Sequence, residues 1–340
     1  MLLIKNCKVL VNGKFLERSI LVGGNGKIMK IGVASELKST AADEIIDATG
    51  KYALPGAIDV HVHCREPGMT QKEDFLTASR AAAAGGVTTI FDMPNTKPAT
   101  TTVALLEEKR KLAAAKCIVN YGFHFGATTD NLEEIKKVKN VAGVKVFMGA
   151  STGNLLVSDE KALNDVFGSG KKIMAHAENE EMIKANEEKY RGSSDGAKLH
   201  LKIRENAAAA MEVERAIAIA KKNGAHVHIC HLTTKEEVAI IAAAKKDYKS
   251  LSCEVTPHHL FLTADSETAA RLGNYTKVNP PLRTKDDAIA LWNAVAEGVV
   301  NVVATDHAPH LPEEKEQDYW TAPAGMPGLQ TMMPLMLDSV

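Results

Sequence analysis

The pattern that most constrains this 340-residue chain begins at Ala57, where short apolar, β-branched runs start to alternate with helical stretches. The first run, Ala57-Ile58-Asp59-Val60-His61-Val62, sits between Pro55-Gly56 and Pro67-Gly68, the signature of a buried strand between two turns. Seven more follow at 87–91, 117–121, 144–148, 172–175, 226–230, 250–254 and 299–304, with helical stretches such as 72–84, 205–222, 235–246 and 286–297 between them. Eight strands in this rhythm predict an α/β fold, a (β/α)8 TIM barrel whose site lies at the C-terminal ends of its strands. An open doubly wound sheet is the alternative, but no glycine-rich phosphate loop follows the first strand. Residues 1–54 read differently, as short alternating runs with Asn12-Gly13 and Gly23-Gly24-Asn25-Gly26 as hairpin signals. The expected organisation is a small β-sandwich-like domain over 1–54 and a barrel over 55–340.

Composition narrows the function. A net charge of −1 offers no polycationic surface, so nucleic acid is not an expected partner. No apolar run reaches the roughly 18 residues that span a bilayer, and the N-terminus carries charge before any long apolar region. The five scattered cysteines do not suggest a disulfide framework. A reducing, cytoplasmic setting is expected.

The barrel gives the polar residues a test: ligand-type side chains should gather at strand ends. His61 and His63 are two apart in a strand and share one face, with Asp59 one step deeper as a partner to orient a histidine. Lys145 sits in the fourth run, His176 just past the fifth, His231 past the sixth and Asp306 past the eighth. Four imidazoles, a carboxylate and a lysine at one mouth suit a borderline metal such as zinc. The lysine is the odd member. Burial in an apolar strand favours its neutral amine, which can add carbon dioxide to become an anionic carbamate. The alternative is a lysine snorkelling out of the strand end.

In order along the chain stand His61-Val62-His63-x-Arg65-Glu66-Pro67-Gly68, Asp92-Met93-Pro94-Asn95-Thr96, Gly143-Val144-Lys145-Val146-Phe147-Met148 and His176-Ala177-Glu178. They are followed by His228-Ile229-Cys230-His231, Cys253-Glu254-Val255-Thr256-Pro257-His258-His259, Asn279-Pro280-Pro281-Leu282-Arg283 and Thr305-Asp306-His307-Ala308-Pro309-His310. Together they resemble the longer, class I type of dihydroorotase in the amidohydrolase superfamily, over essentially the whole chain. The resemblance implies a cytoplasmic enzyme of pyrimidine biosynthesis. Its reaction would interconvert (S)-dihydroorotate and N-carbamoyl-L-aspartate through a metal-bridged hydroxide. It implies two zinc ions, one on His61, His63 and Asp306, the other on His176 and His231, bridged by carboxylated Lys145. Asp306 would move the proton. Arg65 and Asn95 would hold the substrate carboxylate, with His63, Asn279, His310 and the backbone at Ala324 and Gly325 completing the pocket.

The resemblance also implies a homo-oligomer and association with aspartate transcarbamoylase. In animal relatives, residues matching Cys230 and Glu254, with the histidine matching His176, resemble a third zinc site; a buried thiol and a satisfied carboxylate are the plainer reading. Two departures stand out. Relatives usually continue past the equivalent of Val340 with strands that complete the small domain, and many carry a larger apolar residue where this chain has Ala324.

Arg65 separates the substrates. Its fork holds a carboxylate by two parallel bonds, and hydantoinases and dihydropyrimidinases act on rings that lack that group. The alternative is an ion pair with Glu66. Allantoinase or hydantoinase activity is the enzymatic rival, and an inactive scaffold for aspartate transcarbamoylase the other. The stretch Ala150-Ser151-Thr152-Gly153-Asn154 is either a lid whose Thr152 hydroxyl touches substrate or a plain turn.

Overall fold

The computed structural model describes residues 1–37, 42–149, 155–193 and 196–340; the lid stretch with Thr152 lies outside them. Two compact units result, Met1–Gly56 and Ala57–Val340. The first holds β1 (Leu2–Val11), β2 (Lys14–Val22), β3 (Ile28–Gly32), β4 (Glu44–Asp47) and β5 (Tyr52–Ala53). They form one sheet in the order β3-β2-β1-β4, with β5 also paired to β1. The runs expected at 2–4 and 8–11 are a single strand. Its pairing with β2 shifts register between Ile4 and Cys7, and Asn6 there adopts φ 59°. A bulge inserts an unpaired residue without ending the strand, and asparagine visits the left-handed region at low cost. The core of this unit is Cys7, Val9, Ile20 and Ala48.

The second unit holds β6 (Ala57–Val62), β7 (Val87–Asp92), β8 (Asn120–Gly126), β9 (Gly143–Phe147), β10 (Ile173–His176), β11 (Val227–Ile229), β12 (Leu251–Val255) and β13 (Val302–Val303). These eight strands follow one another in sheet order, and every neighbouring pair is parallel. Val62 bridges to His307 in parallel and the His63 N–H donates to the His307 carbonyl at 2.8 Å. The segment leaving the last strand therefore meets the end of the first, and the barrel closes. Every residue of β9, β10 and β11 is buried, because parallel strands are covered by side chains inside and helices outside.

Two strands differ from their sequence expectation. The run at 117–121 gives way to Asn120–Gly126, with Cys117 capping the preceding helix. Gly122, His124 and Gly126 interrupt the apolar pattern that marks the other strands. The run at 299–304 shrinks to Val302–Val303, since the Cys253 N–H donates to the Asn301 side chain (3.1 Å) and the ladder starts one residue later.

Helices begin where a short polar side chain can accept orphan N–H groups. Asp74 with Thr77, Thr234 with Glu237 and Thr284 with Asp287 form reciprocal capping boxes at the starts of Phe75–Ala84, Lys235–Ala244 and Lys285–Ala296. The longest helix, Asn206–Asn223, turns Ala208, Ala209, Val213, Ala216, Ile217 and Ala220 inward, and its alanines let it lie close to the strands. No helix among the described residues is long and apolar enough to cross a membrane.

Candidate metal centre

The strand ends converge on a cleft of about 360 Å³ lined by His61, His63, Lys145, His176, His231 and Asp306, together with Arg65, Phe147, Asn279, Ala308, Ala324 and Gly325. On β6 the two-residue repeat points both imidazoles the same way. Nε2 of His61 and of His63 approach Oδ1 of Asp306 at 3.1 and 2.9 Å. The donor atoms of these three residues lie within 4.8 Å of one another. Nδ1 of His176 and Nε2 of His231 meet at 3.0 Å, and the His231 ring lies 5.4 Å from that of His61. Lys145, buried on β9, donates to Cys230 Sγ at 3.1 Å, with its Nζ 5.1 Å from the centre of the Phe147 ring.

Buried partners fix the rings. His63 Nδ1 lies 2.8 Å from Asn95 Oδ1. His61 Nδ1 hydrogen-bonds Glu254, whose carboxylate also faces His228 Nε2 (3.0 Å) and accepts the His231 N–H (3.3 Å). Engaging one ring nitrogen leaves the other to face a cation. Asp59, expected to orient a histidine ring, does something else: it accepts the backbone N–H groups of His61 (3.2 Å) and Thr305 (3.1 Å) and the Thr305 hydroxyl (2.5 Å). The ring-orienting carboxylate is Glu254. Cys230 and Glu254 likewise gather around His61, not His176, with donor atoms of all three within 4.8 Å.

Protonation suits a cation. Burial pulls His63 down to about 4 and lowers His176 and His231, so all three are neutral at pH 7; metal binding requires that form. Burial opposes charge on Asp306 and Glu254, but the imidazoles around them hold both well below the usual carboxylate range. His61 balances these two carboxylates: despite burial and Lys145, Asp306 and Glu254 raise it to about 10. A divalent ion placed among these donors replaces that proton. Nδ1 of His231 is buried without a hydrogen-bond partner among the described residues. Three neutral imidazoles, a fourth held between two ionised carboxylates, and converging donor atoms fit a metal.

Another part of the cleft lining is built for a different group. Arg65 is 1% exposed, with Nε donating to the Pro309 carbonyl (3.1 Å) and Nη2 lying 3.0 Å from His310 Nε2. Neither contact neutralises the guanidinium, and His310 Nε2, itself the donor to the Ala324 carbonyl, does not accept from it. Glu66 does not pair with it: the Glu66 carboxylate binds Lys116 (2.6 Å) and accepts the Phe75 N–H (3.1 Å). His310 Nε2 donates to the Ala324 carbonyl (3.0 Å), leaving Nδ1 to accept from Lys72 (3.0 Å). Burial, with Arg65, Lys72 and Lys315 nearby, takes His310 down to about 3 and keeps it neutral. Asn279 Oδ1 lies 3.0 Å from His200 Nε2. Gly325 has φ 139°, and a Cβ there would fall 2.5 Å from the Ala308 carbonyl oxygen; only glycine fits.

The amidohydrolase family profile matches residues 52–337. The chain belongs to the amidohydrolase family. Among curated relatives, a dihydroorotase of Methanosarcina mazei is 43% identical over 99% of this chain and 75% of its own. A dihydroorotase of Staphylococcus epidermidis is 37% identical over 99% of this chain and 79% of its own. Among solved structures, the L-hydantoinase (dihydropyrimidinase) from Arthrobacter aurescens superposes with a TM-score of 0.91 at 32% identity, covering 99% of this chain and 76% of its own.

Sequence reading of this amidohydrolase missed three buried contacts. Glu254 reaches His61 from 193 residues away. Glu178 pairs with Arg204 and sits 3.0 Å from His176 Nε2. Lys109 pairs with Asp92 and donates to the Met93 carbonyl (2.8 Å), two residues before Asn95. For Glu254 and Asp92 a charged residue at the end of an apolar run was the available signal, since such groups are buried only when paired; Lys109 lies in the charged run 107–111 and gave none.

Proposed function

We propose that this amidohydrolase is a dihydroorotase that opens and closes the ring between (S)-dihydroorotate and N-carbamoyl-L-aspartate. The observation that carries the reading is Arg65, a buried guanidinium in the lining of the histidine cleft, whose hydrogen-bond acceptor among the described residues is the neutral Pro309 carbonyl. A fixed fork there suits a substrate carboxylate by two charge-assisted bonds. Hydantoin rings bring no such group, and burial opposes the charge on Arg65 with Asp306, Asp92 and Glu314 nearby but none in ion-pair contact with it among the described residues.

In this reading His61, His63 and Asp306 would hold one divalent ion, and His176 and His231 a second. Lys145, as its carbamate, would supply further anionic oxygens to the ions, with zinc the expected metal. Such ions lower the pKa of water toward about 7 and polarise a carbonyl oxygen. The chain's own groups do the rest. Arg65 and Asn95 fix the carboxylate, and Asn279 and the backbone at Ala324 and Gly325 bound the ring. Asp306 takes the proton of the attacking water and returns it to the amide nitrogen as the ring opens. Closure uses the same groups in reverse.

A second reading, hydantoinase or allantoinase activity, is favoured by the likeness to the Arthrobacter enzyme. Turnover of dihydroorotate, hydantoin and allantoin measured side by side separates the two. Dihydroorotate is expected to be the preferred substrate, and turnover of only the other two refutes the proposal. The inactive-scaffold reading requires lost ligands, whereas all six line one cleft.

A further inference from the structure

Lys315 is 3% exposed, and its ammonium meets no carboxylate among the described residues. It donates instead to three backbone carbonyls, those of Lys277 (3.2 Å), Pro323 (2.9 Å) and Gly325 (3.0 Å). Burial, with Lys277 and Arg65 nearby, lowers Lys315 to about 7; in its ammonium form all three N–H bonds are used by this set. Its stem leaves the short helix Pro312–Lys315, and two of its acceptors belong to the segment that lines the cleft with Ala324 and Gly325. Lys277 works on the same segment from the other side, donating to the Tyr319 (2.6 Å) and Ala322 (2.7 Å) carbonyls.

We propose that Lys315 is a positioning residue which sets the polarity of the substrate-facing wall. In a trans peptide the C=O and the N–H point in opposite directions, and the Pro323–Ala324 bond is trans. Holding the Pro323 oxygen on Lys315 turns the Ala324 N–H the other way, and that N–H makes no hydrogen bond among the described residues. Ala324 lines the cleft, and its own carbonyl is taken by His310, the residue whose ring touches Arg65. Beside Arg65 the Pro323, Ala324 and Gly325 oxygens are therefore all engaged, while the Ala324 N–H is left unpaired among the described residues. A flipped 323–324 peptide would present a carbonyl oxygen and repel an anion. Lys315 makes that flip unfavourable, since it would leave a buried ammonium short of an acceptor.

The proposal rests on the reading of the cleft as a carboxylate site, so the test has one arm independent of activity. In the ligand-free protein, hydrogen exchange of the peptide covering 319–326 is compared between wild type and Lys315→Met. Exchange there is expected to rise tenfold or more, through the Gly325 N–H now held on Lys277, while the barrel strands stay protected. In the kinetic arm, KM for dihydroorotate is expected to rise at least tenfold with kcat within threefold, because Lys315 touches none of the six metal-type residues. Should Lys315→Met fail to fold, Lys315→Gln, which keeps two N–H donors, takes its place and is expected to show smaller shifts of the same sign. Unchanged exchange, or an unchanged KM with altered kcat, overturns the inference. If wild-type protein turns over no dihydroorotate, the functional reading fails while the exchange arm still decides whether Lys315 holds the loop.

Discussion

Replacing Arg65 by lysine isolates the fork of the guanidinium from its charge. Arg65 sits at φ 62°, but arginine and lysine are penalised alike in that region, so backbone strain cancels in the comparison. Burial also cancels in large part, because both variants place a cation in the same enclosed position. What changes is the hydrogen bonding. Lysine loses one of two parallel bonds to a substrate carboxylate and the bond that Nε gives the Pro309 carbonyl. A hydrogen bond to a charged group contributes about 1.5–3 kcal/mol, so kcat/KM for dihydroorotate should fall roughly 10- to 150-fold. Steady-state assays with dihydroorotate and with an uncharged ring such as hydantoin give the comparison, after thermal unfolding shows the variant is folded. Only the carboxylate-bearing substrate should suffer. An equal loss on both rings would mean that the substitution distorts the cleft, and no loss on either would mean that the carboxylate is held elsewhere; both outcomes refute the reasoning.

Lys109→Met leaves Asp92 buried without its cation and should lower stability by about 3–5 kcal/mol in denaturant titration; pairing it with Asp92→Asn should recover part of that loss. Lys145→Ala should abolish turnover, and short carboxylic acids should restore some of it by supplying the missing anionic oxygens; a fully active variant would rule out the carbamate. His200, lowered to about 3 by burial and then by Arg204 and Lys277, stays neutral in the fold while the unfolded chain titrates near 6.5. Between those values the unfolded state binds more protons, so stability falls as pH drops below about 6.5; in His200→Gln the acid-side slope of the unfolding free energy should be shallower.

The barrel was legible because its strands are covered on both sides and read as unbroken apolar runs. Where the run is broken, as by Gly122 and His124 in β8, the strand is displaced from its expected place. The bulge at Asn6 likewise makes the single strand Leu2–Val11 read as two runs in the sequence. Site residues were legible by position: a polar group just after an apolar run must fall at the barrel mouth. Their partners were not. Nothing local to Glu254 says that it will meet a histidine from the first barrel strand, and nothing local to Lys315 announces three carbonyls from two other segments.

The backbone around the cleft explains why those partners are carboxylates. Among the described residues six non-glycine residues have positive φ; three are Asn6, Asn12 and Asn140, and the other three, Arg65, His231 and Asp306, all line the cleft. Such conformations cost about 1–3 kcal/mol each and persist only where surroundings over-determine them. A buried carboxylate from a neighbouring strand does so in every case. Asp92 of β7 accepts the Cys64 N–H (2.7 Å) just before Arg65, and Asp59 of β6 accepts the Thr305 N–H (3.1 Å) just before Asp306. Glu254 of β12 accepts the N–H of His231 itself (3.3 Å). Each acid thus anchors the turn that follows the adjacent strand, and the closed ring of strands makes one of these pairs join the first strand to the last. The fold aims its cation-binding and carboxylate-binding side chains by strand-to-strand coupling, so a barrel with the same strands and without these three acids would lack the site.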